Sequence, residues 1–189
     1  IEGLAAEPSA SIRLNPFKAS LDKVEIPLAD TPVPWCKDGF YLKQRPDFTF
    51  DPFFHAGLYY VQEASSMFLH HVLSQTVDRP VAMLDLCAAP GGKSTVARAA
   101  LPEGSSLFSN EPIRQRVRIL NENILKFGHP DVIVTNNYAR DYRQTGLLFD
   151  VILADVPCSG EGMFRKDEGA IAAWSPQNVD KCCRLQREI

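Results

Sequence analysis

A Rossmann-like α/β fold built on a parallel sheet is predicted by three observations. From Val81 onward, short apolar runs alternate with stretches of helical periodicity, the pattern of βαβ units with right-handed crossovers. Each run ends in a polar or glycine-containing stretch, "AAPGGK", "NE", "NNY" and "DVPCSG", and ligands in such sheets collect at the carboxyl ends of the strands. The preceding segment differs in character, with many of the prolines and most of the aromatics before residue 61. It predicts a small α+β unit over residues 1–60, followed by the N-terminal part of the sheet domain over 61–189.

The elements follow in order. "SIRLNPF" and "GFYL" are the strands expected in the first segment, joined by turns and irregular connections. Its aromatics, in "NPFK", "TPVPW", "FYLKQRPDFTFDPFF" and "GLYY", form a small packed core or, in part, a base-stacking surface. "QEASSMFLHHVLSQTV" (62–77) places Ala64, Met67, Phe68, His71 and Val72 on one helical face. His70 and His71 are read there as packed or solvated rather than as metal ligands. "VAMLDLC" is a strand, 92–101 a helix and "SSLFSNE" a second strand. The next helix opens with Pro112 and carries Ile113, Val117, Leu120, Ile124 and Phe127 at spacings of three and four. Its Arg114, Arg116 and Arg118 read as a solvated face. "DVIVTNN" is the third strand, and "FDVILADVPC" a fourth, apolar enough for burial on both sides.

Totals bound the class. With 189 residues and 45% hydrophobic side chains the chain can bury a sizeable core. The formal charge of −3 gives no bulk attraction for nucleic acid, so such a partner must meet a local patch. Five cysteines (Cys36, Cys87, Cys158, Cys182, Cys183) with no CxxC spacing read as reduced thiols in a cytoplasmic protein. No metal is expected, and no signal peptide or membrane-spanning run occurs. The start at Ile1 and the uncapped helical ending "VDKCCRLQREI" read as those of a piece of a longer chain.

"DLCAAPGGKST" (85–95) lies between the first parallel strand and its helix. A phosphate-binding reading of "GGKST" needs a glycine five positions before Gly92, where Cys87 stands, and Pro90 offers no N–H. S-adenosylmethionine fits better. Gly91 and Gly92 permit close backbone approach, and Glu111 stands at the end of the second strand, 24 residues after Cys87, where ribose hydroxyls need an acceptor. The cationic sulfonium favours nearby carboxylates over a triphosphate cradle.

"DVPCSGEGMFRKD" (155–167) is the most specific stretch. Carbon 5 of cytosine is a poor nucleophile until a thiolate adds to carbon 6. Methylation there calls for a cysteine beside the sulfonium, a group on the N3/N4 edge and a base for the carbon-5 proton. Pro157 is expected to stiffen the turn so that Asp155 and Cys158 project into one cleft with Gly91, Gly92 and Glu111.

Taken together, "NPFK", "HAGLYYVQEASSM", "LDLCAAPGGKS", "SNE" and "DVPCSGEGMFRKD" resemble the Sun/Nop family of RNA cytosine-C5 methyltransferases, and within it the RsmF-type bacterial branch that modifies small-subunit ribosomal RNA. The resemblance runs from about Ile12 to Ile189. It implies an S-adenosylmethionine-dependent methyltransferase sheet whose loop Cys87, Ala88, Ala89, Pro90, Gly91, Gly92 and Lys93 binds the cofactor through backbone groups. It implies Glu111 on the ribose, Asp155 near the methyl group and target base, and Gln62 shaping the pocket. Where the family has an aspartate near the adenine this chain reads "TNNYARD", leaving Asn136 or Asn137 as a polar contact, or Tyr138 as a stacking one. Arg165 and Lys166 either meet an RNA phosphate or form a surface pair.

The resemblance further implies two cysteines. That of the "PC" motif, Cys158, assists release of the product, and the nucleophile belongs to a "TC" motif on the next strand. No Thr-Cys pair occurs in the 189 residues, so this piece is expected to be inactive alone. Its fourth strand would then be an exposed edge open to self-association. Two other readings stand beside this one: a DNA cytosine methyltransferase using Cys158 as nucleophile, and a non-catalytic RNA- or ATP-binding module.

Overall fold

The computed structural model describes residues 9–18 and 29–189. Residues 1–8 and 19–28 of the expected N-terminal segment therefore lie outside the description. The rest forms two compact units, Ser9–Ala154 (within its described residues) and a second beginning at Asp155 and running to Ile189.

The first unit holds two sheets. The N-terminal one contains β1 (Ser11–Leu14), β2 (Ala29–Pro32), β3 (Gly39–Leu42) and β4 (Tyr59–Val61), antiparallel in the order β2-β3-β1-β4. β1 is buried along its whole length. Ile12 and Leu14 enter a core with Phe40, Leu42 and Tyr59, and the alternate side chains, Ser11 and Arg13, are also buried. A strand that alternates apolar and polar yet hides both faces must lie between two packed layers. The short helix α1 (Pro52–His55) sits between β3 and β4, capped by Asp51, whose carboxylate accepts from the Phe53 N–H at 2.8 Å.

The second sheet contains β5 (Ala82–Asp85), β6 (Ser106–Asn110), β7 (Val132–Thr135) and β8 (Val151–Leu153), all parallel in the order β7-β6-β5-β8. This is the Rossmann arrangement in which strand order reverses beside the first strand, here β5. Helices α2 (Phe68–Thr76) and α3 (Gly92–Ala100) supply Leu73 and Ala97 to a core with Met83 and Leu107. Helix α4 (Arg114–Phe127) sets Leu120 and Ile124 against Ala88 and Ala89. Gly128 ends α4 in the left-handed conformation, φ +78°.

Three expectations are corrected. The 62–77 stretch begins as a 3-10 turn, Ala64–Met67, before α2. Three residues per turn move the buried stripe to Ala64, Met67, His70 and Leu73, leaving Phe68 and Val72 about half exposed. The fourth strand is not buried on both sides: β8 has three residues at the sheet's edge, and Ile152 is 58% exposed. Arg116 is not simply solvated; its guanidinium turns back toward β5 and β6 (below).

The second unit contains a 3-10 turn, Glu161–Met163, then α5 (Glu168–Ala173) and α6 (Pro176–Glu188). Ser175 caps α6 through the Asn178 N–H at 3.2 Å, with Pro176 in its first turn. Cys182 and Cys183 lie within α6, as the spacing predicts. Among the described residues, no helix is long and apolar enough to cross a membrane, and no group of three His, Cys, Asp or Glu is placed to hold a metal.

Candidate functional site

The tips of β5, β6 and β7 are tied together by one fully buried side chain, Asn110. Its Nδ2 donates to the carbonyls of Leu86 (3.0 Å) and Asn137 (2.9 Å). Its Oδ1 accepts from the Thr135 hydroxyl and the Asn137 N–H, each at 3.0 Å, and from Tyr142 Oη at 3.2 Å. A single amide thus fixes the loops that leave three neighbouring strands. It is one residue before Glu111, in "SNE", and sequence reasoning assigned it no role. The available signal was a polar residue ending a strand otherwise suited to burial.

The loop after β5 is equally constrained. The Leu86, Ala88 and Gly91 amides donate to Leu153, Asn110 and Ala88 carbonyls at 2.9, 2.7 and 2.7 Å. Arg116 Nη2 holds the Ala89 carbonyl at 2.7 Å, and Asn123 Nδ2 the Pro90 carbonyl at 2.8 Å. Ala88 and Ala89 are buried, Cys87 and Lys93 half-buried, and Pro90 is exposed. Gly91 has φ +110°, a conformation that side-chain-bearing residues rarely adopt. A Cβ at Gly92 would stand 3.2 Å from both Gln62 Nε2 and Tyr60 Cε1, so β4 and the residue after it wall the turn. Asp85, at the end of β5, is fully buried and accepts from Ser94 Oγ at 2.7 Å, a carboxylate at the positive end of α3.

Glu111 is fully buried just past β6. Its Oε1 accepts from the Ile113 N–H at 3.0 Å, and Arg116 Nη1 lies 3.4 Å from Oε2. Oε2 accepts no hydrogen bond. A buried carboxylate oxygen with unused acceptor capacity costs stability unless a donor reaches it, and a ribose hydroxyl is such a donor. The amides already spent at Leu86, Ala88 and Gly91 argue against a phosphate cradle, which needs several free N–H groups on one anion. The residues present therefore fit the adenosine half of S-adenosylmethionine and do not fit a triphosphate.

Beyond β7, Asn137 is half-buried with its backbone gripped by Asn110. Tyr138 is 54% exposed with the Arg140 guanidinium 5.0 Å from its ring centre. Asn136 Nδ2 donates to the Glu111 carbonyl at 2.7 Å. Gln62 is buried, and its Oε1 accepts from Arg13 Nε at 3.0 Å.

Asp155, Cys158, Arg165 and Lys166 belong to the second unit. Asp155, Cys158 and Lys166 are exposed and Arg165 half-buried. The turn that follows is held by Glu161, which accepts from Trp174 Nε1 at 2.8 Å and from Ser159 Oγ at 2.5 Å. These bonds hold its carboxyl below the ordinary glutamate range. Gln186 Nε2 donates to the Pro157 carbonyl at 2.7 Å, linking α6 to the "PC" turn.

Comparison with known proteins places these features in a family. A family model described as 16S rRNA methyltransferase RsmB/F matches residues 72–189, and one described as the N-terminal domain of 16S rRNA methyltransferase RsmF matches 1–64. The chain is 36% identical over 190 aligned residues to ribosomal RNA small subunit methyltransferase F of Escherichia coli (strain SMS-3-5 / SECEC), covering 95% of this chain and 40% of that protein. The protein of the same name in Cronobacter sakazakii is 37% identical, with 95% and 39% covered. The chain thus spans about 40% of the length of these relatives. Among solved structures, a methyltransferase homolog protein from Pyrococcus horikoshii aligns at TM-score 0.74 and 28% identity, over 90% of this chain and 57% of that one. NSun6 from the same organism, solved with SFG, aligns at TM-score 0.79 and 16% identity, over 99% and 72%, a likeness of fold.

Proposed function

The chain belongs to the 16S rRNA methyltransferase RsmB/F family, and from that premise we propose that it serves S-adenosylmethionine-dependent methylation of cytosine carbon 5 in small-subunit ribosomal RNA, in the cytoplasm. The observation that carries the cofactor assignment is the buried Glu111 carboxylate, whose Oε2 accepts no hydrogen bond, one residue beyond the strand-tip hub.

When bound, S-adenosylmethionine supplies a methyl group on a cationic sulfonium. Gly91 and Gly92 let the loop's backbone approach it, with Cys87, Ala88, Ala89, Pro90 and Lys93 completing the turn. Glu111 accepts from the ribose while Arg116 remains its counter-ion. Asn137 or Tyr138 meets the adenine. Asp155 holds the polar edge of the base near the methyl group. A thiolate adding to carbon 6 makes carbon 5 nucleophilic, and loss of the carbon-5 proton after methylation expels that thiolate. Cys158 assists this release, and the attacking thiolate is assigned to a Thr-Cys motif, a pair that does not occur in these 189 residues. A splayed-out base suits single-stranded RNA, with Arg165 and Lys166 on its backbone and residues 1–60 contributing to RNA binding.

The test uses the full-length protein with small-subunit ribosomal RNA tritiated at cytosine carbon 5. Tritium release matched by methyl incorporation is expected. Methyl transfer without release would assign the methyl to another atom and overturn the proposal.

A further inference from the structure

Arg13 is almost fully buried and, among the described residues, makes no hydrogen bond to a carboxylate; its Nη1 has no hydrogen-bond partner there. Burial pulls its pKa down to about 10, with Cys36 and Asp38 opposing, so it stays charged at neutral pH. Filling space with a guanidinium is costly where a methionine would pack. Its two side-chain hydrogen bonds among the described residues lead to the same backbone residue. Nε donates to Gln62 Oε1 at 3.0 Å, and the other end of that amide, Nε2, would lie 3.2 Å from a Cβ at Gly92. Nη2 donates to Thr95 Oγ1 at 2.6 Å, and the Thr95 hydroxyl donates onward to the Gly92 carbonyl at 3.0 Å. A chain running from a charged donor through a hydroxyl to a carbonyl strengthens each link.

The turn that follows this strand carries an internal control. Two residues on, Asn15 Nδ2 donates to the carbonyls of Gly57 (2.9 Å) and Phe127 (2.8 Å), and Lys18 Nζ to that of Lys126 (2.7 Å). The bonds to Phe127 and Lys126 join the N-terminal segment to the last turn of α4, where cations and donors are favoured. The segment "RLNPFK" thus grips the parallel-sheet half at two places, and only Arg13 reaches the glycine turn.

We propose that Arg13 is a positioning residue for the cofactor loop, setting the Gly92 carbonyl through Thr95 and the wall of the turn through Gln62, so that cofactor affinity depends on the N-terminal sheet. This rests on the cofactor site proposed above. It gives the N-terminal segment a part in methyl-donor binding besides any contact with RNA.

The test is titration of the full chain with S-adenosylmethionine for wild type, Arg13→Met, Thr95→Val, Thr95→Ser and Asn15→Ala, below every variant's melting transition. Arg13→Met and Thr95→Val should each weaken binding about tenfold, the loss of one charge-assisted hydrogen bond. The double variant should bind no worse than the weaker single one, because both break one chain. Thr95→Ser, which keeps the hydroxyl, should stay within about twofold of wild type. Asn15→Ala should lower the melting temperature and leave affinity unchanged. Equal affinity in all variants, or an equal loss in Asn15→Ala, overturns the proposal. If Arg13→Met does not fold, the Thr95→Val and Thr95→Ser pair decides alone. Failure of the wild type to bind would sink the cofactor reading instead. Amide hydrogen exchange over Gly91–Lys93 then decides for Arg13: exchange faster in Thr95→Val than in Asn15→Ala supports it, and equal exchange overturns it.

Discussion

The strand-tip cluster of the first unit and the "PC" segment of the second carry the two halves of the proposed chemistry, and they are built in opposite ways. Around Asp85, Asn110 and Glu111 the functional groups are fully buried and bonded across several elements. Around Asp155 and Cys158 the side chains are exposed, and the turn beside them is held by Ser159–Glu161, Trp174–Glu161 and Gln186–Pro157 hydrogen bonds. A cofactor that differs little from one turnover to the next suits a rigid cradle. Groups that must meet a large polynucleotide and then release it suit an open segment. Burial therefore follows the ligand each region is proposed to handle.

The sharpest way to break that contrast is Asn110→Ala. Removing five hydrogen bonds and leaving buried carbonyls unpaired should cost about 3 kcal/mol or more, read as a fall in the denaturant midpoint. A loss below 1 kcal/mol would mean that the strand tips are not held from this side chain. Next comes Gly91→Ala, which forces a Cβ into φ +110° and to 3.2 Å from Leu120 Cδ1. It should cost roughly 1–3 kcal/mol and weaken cofactor binding, checked by melting and titration together.

Acid separates the two units by the pH window in which each loses stability, the sign of the linkage being the same in both. Burial holds His70 and His129 below the ordinary histidine value of 6.5, so the unfolded chain takes up protons first. Stability of the first unit is then lost as pH falls below about 6.5. Glu161 has its pKa lowered by Ser159 and Trp174. Its contribution is present above 4.5, the ordinary value, and is lost only as pH falls further. Circular dichroism melts from pH 7.5 to 4 should show the first decline, and His70→Gln should flatten it. Trp174 emission, isolated in a Trp35→Phe background, should report the second only below pH 4.5. The smallest effect is expected from Cys158→Ser, which should leave stability within about 0.5 kcal/mol because the side chain is exposed.

What could be read from the chain follows from the same contrast. The four parallel strands, β1, β3, α3 and α4 were legible because their periodicities are local properties of the sequence. The glycine turn and Glu111 were legible as a loop and an acid at neighbouring strand tips. The buried face of α2 was misread because a 3-10 turn shifts it, and nothing in "QEASSM" announces that winding. The exposed edge at β8 was expected from the family resemblance, which implies further strands, whereas the apolar run "VILAD" taken by itself suggested burial on both sides. Arg13, Asn110 and Arg116 were missed as site residues for one reason: each acts through partners far away in sequence, 82 residues for Arg13 and Thr95, 27 for Asn110 and Asn137, and 27 for Arg116 and Ala89.

The most direct measurement is calorimetric titration of the chain and of Glu111→Gln with S-adenosylmethionine and, separately, with ATP and magnesium. Saturable binding of S-adenosylmethionine, weakened about tenfold or more in Glu111→Gln, with no heat from ATP, is predicted. Binding of ATP in its place, or a Glu111→Gln affinity equal to wild type, would contradict the assignment of this buried carboxylate to the methyl donor's ribose.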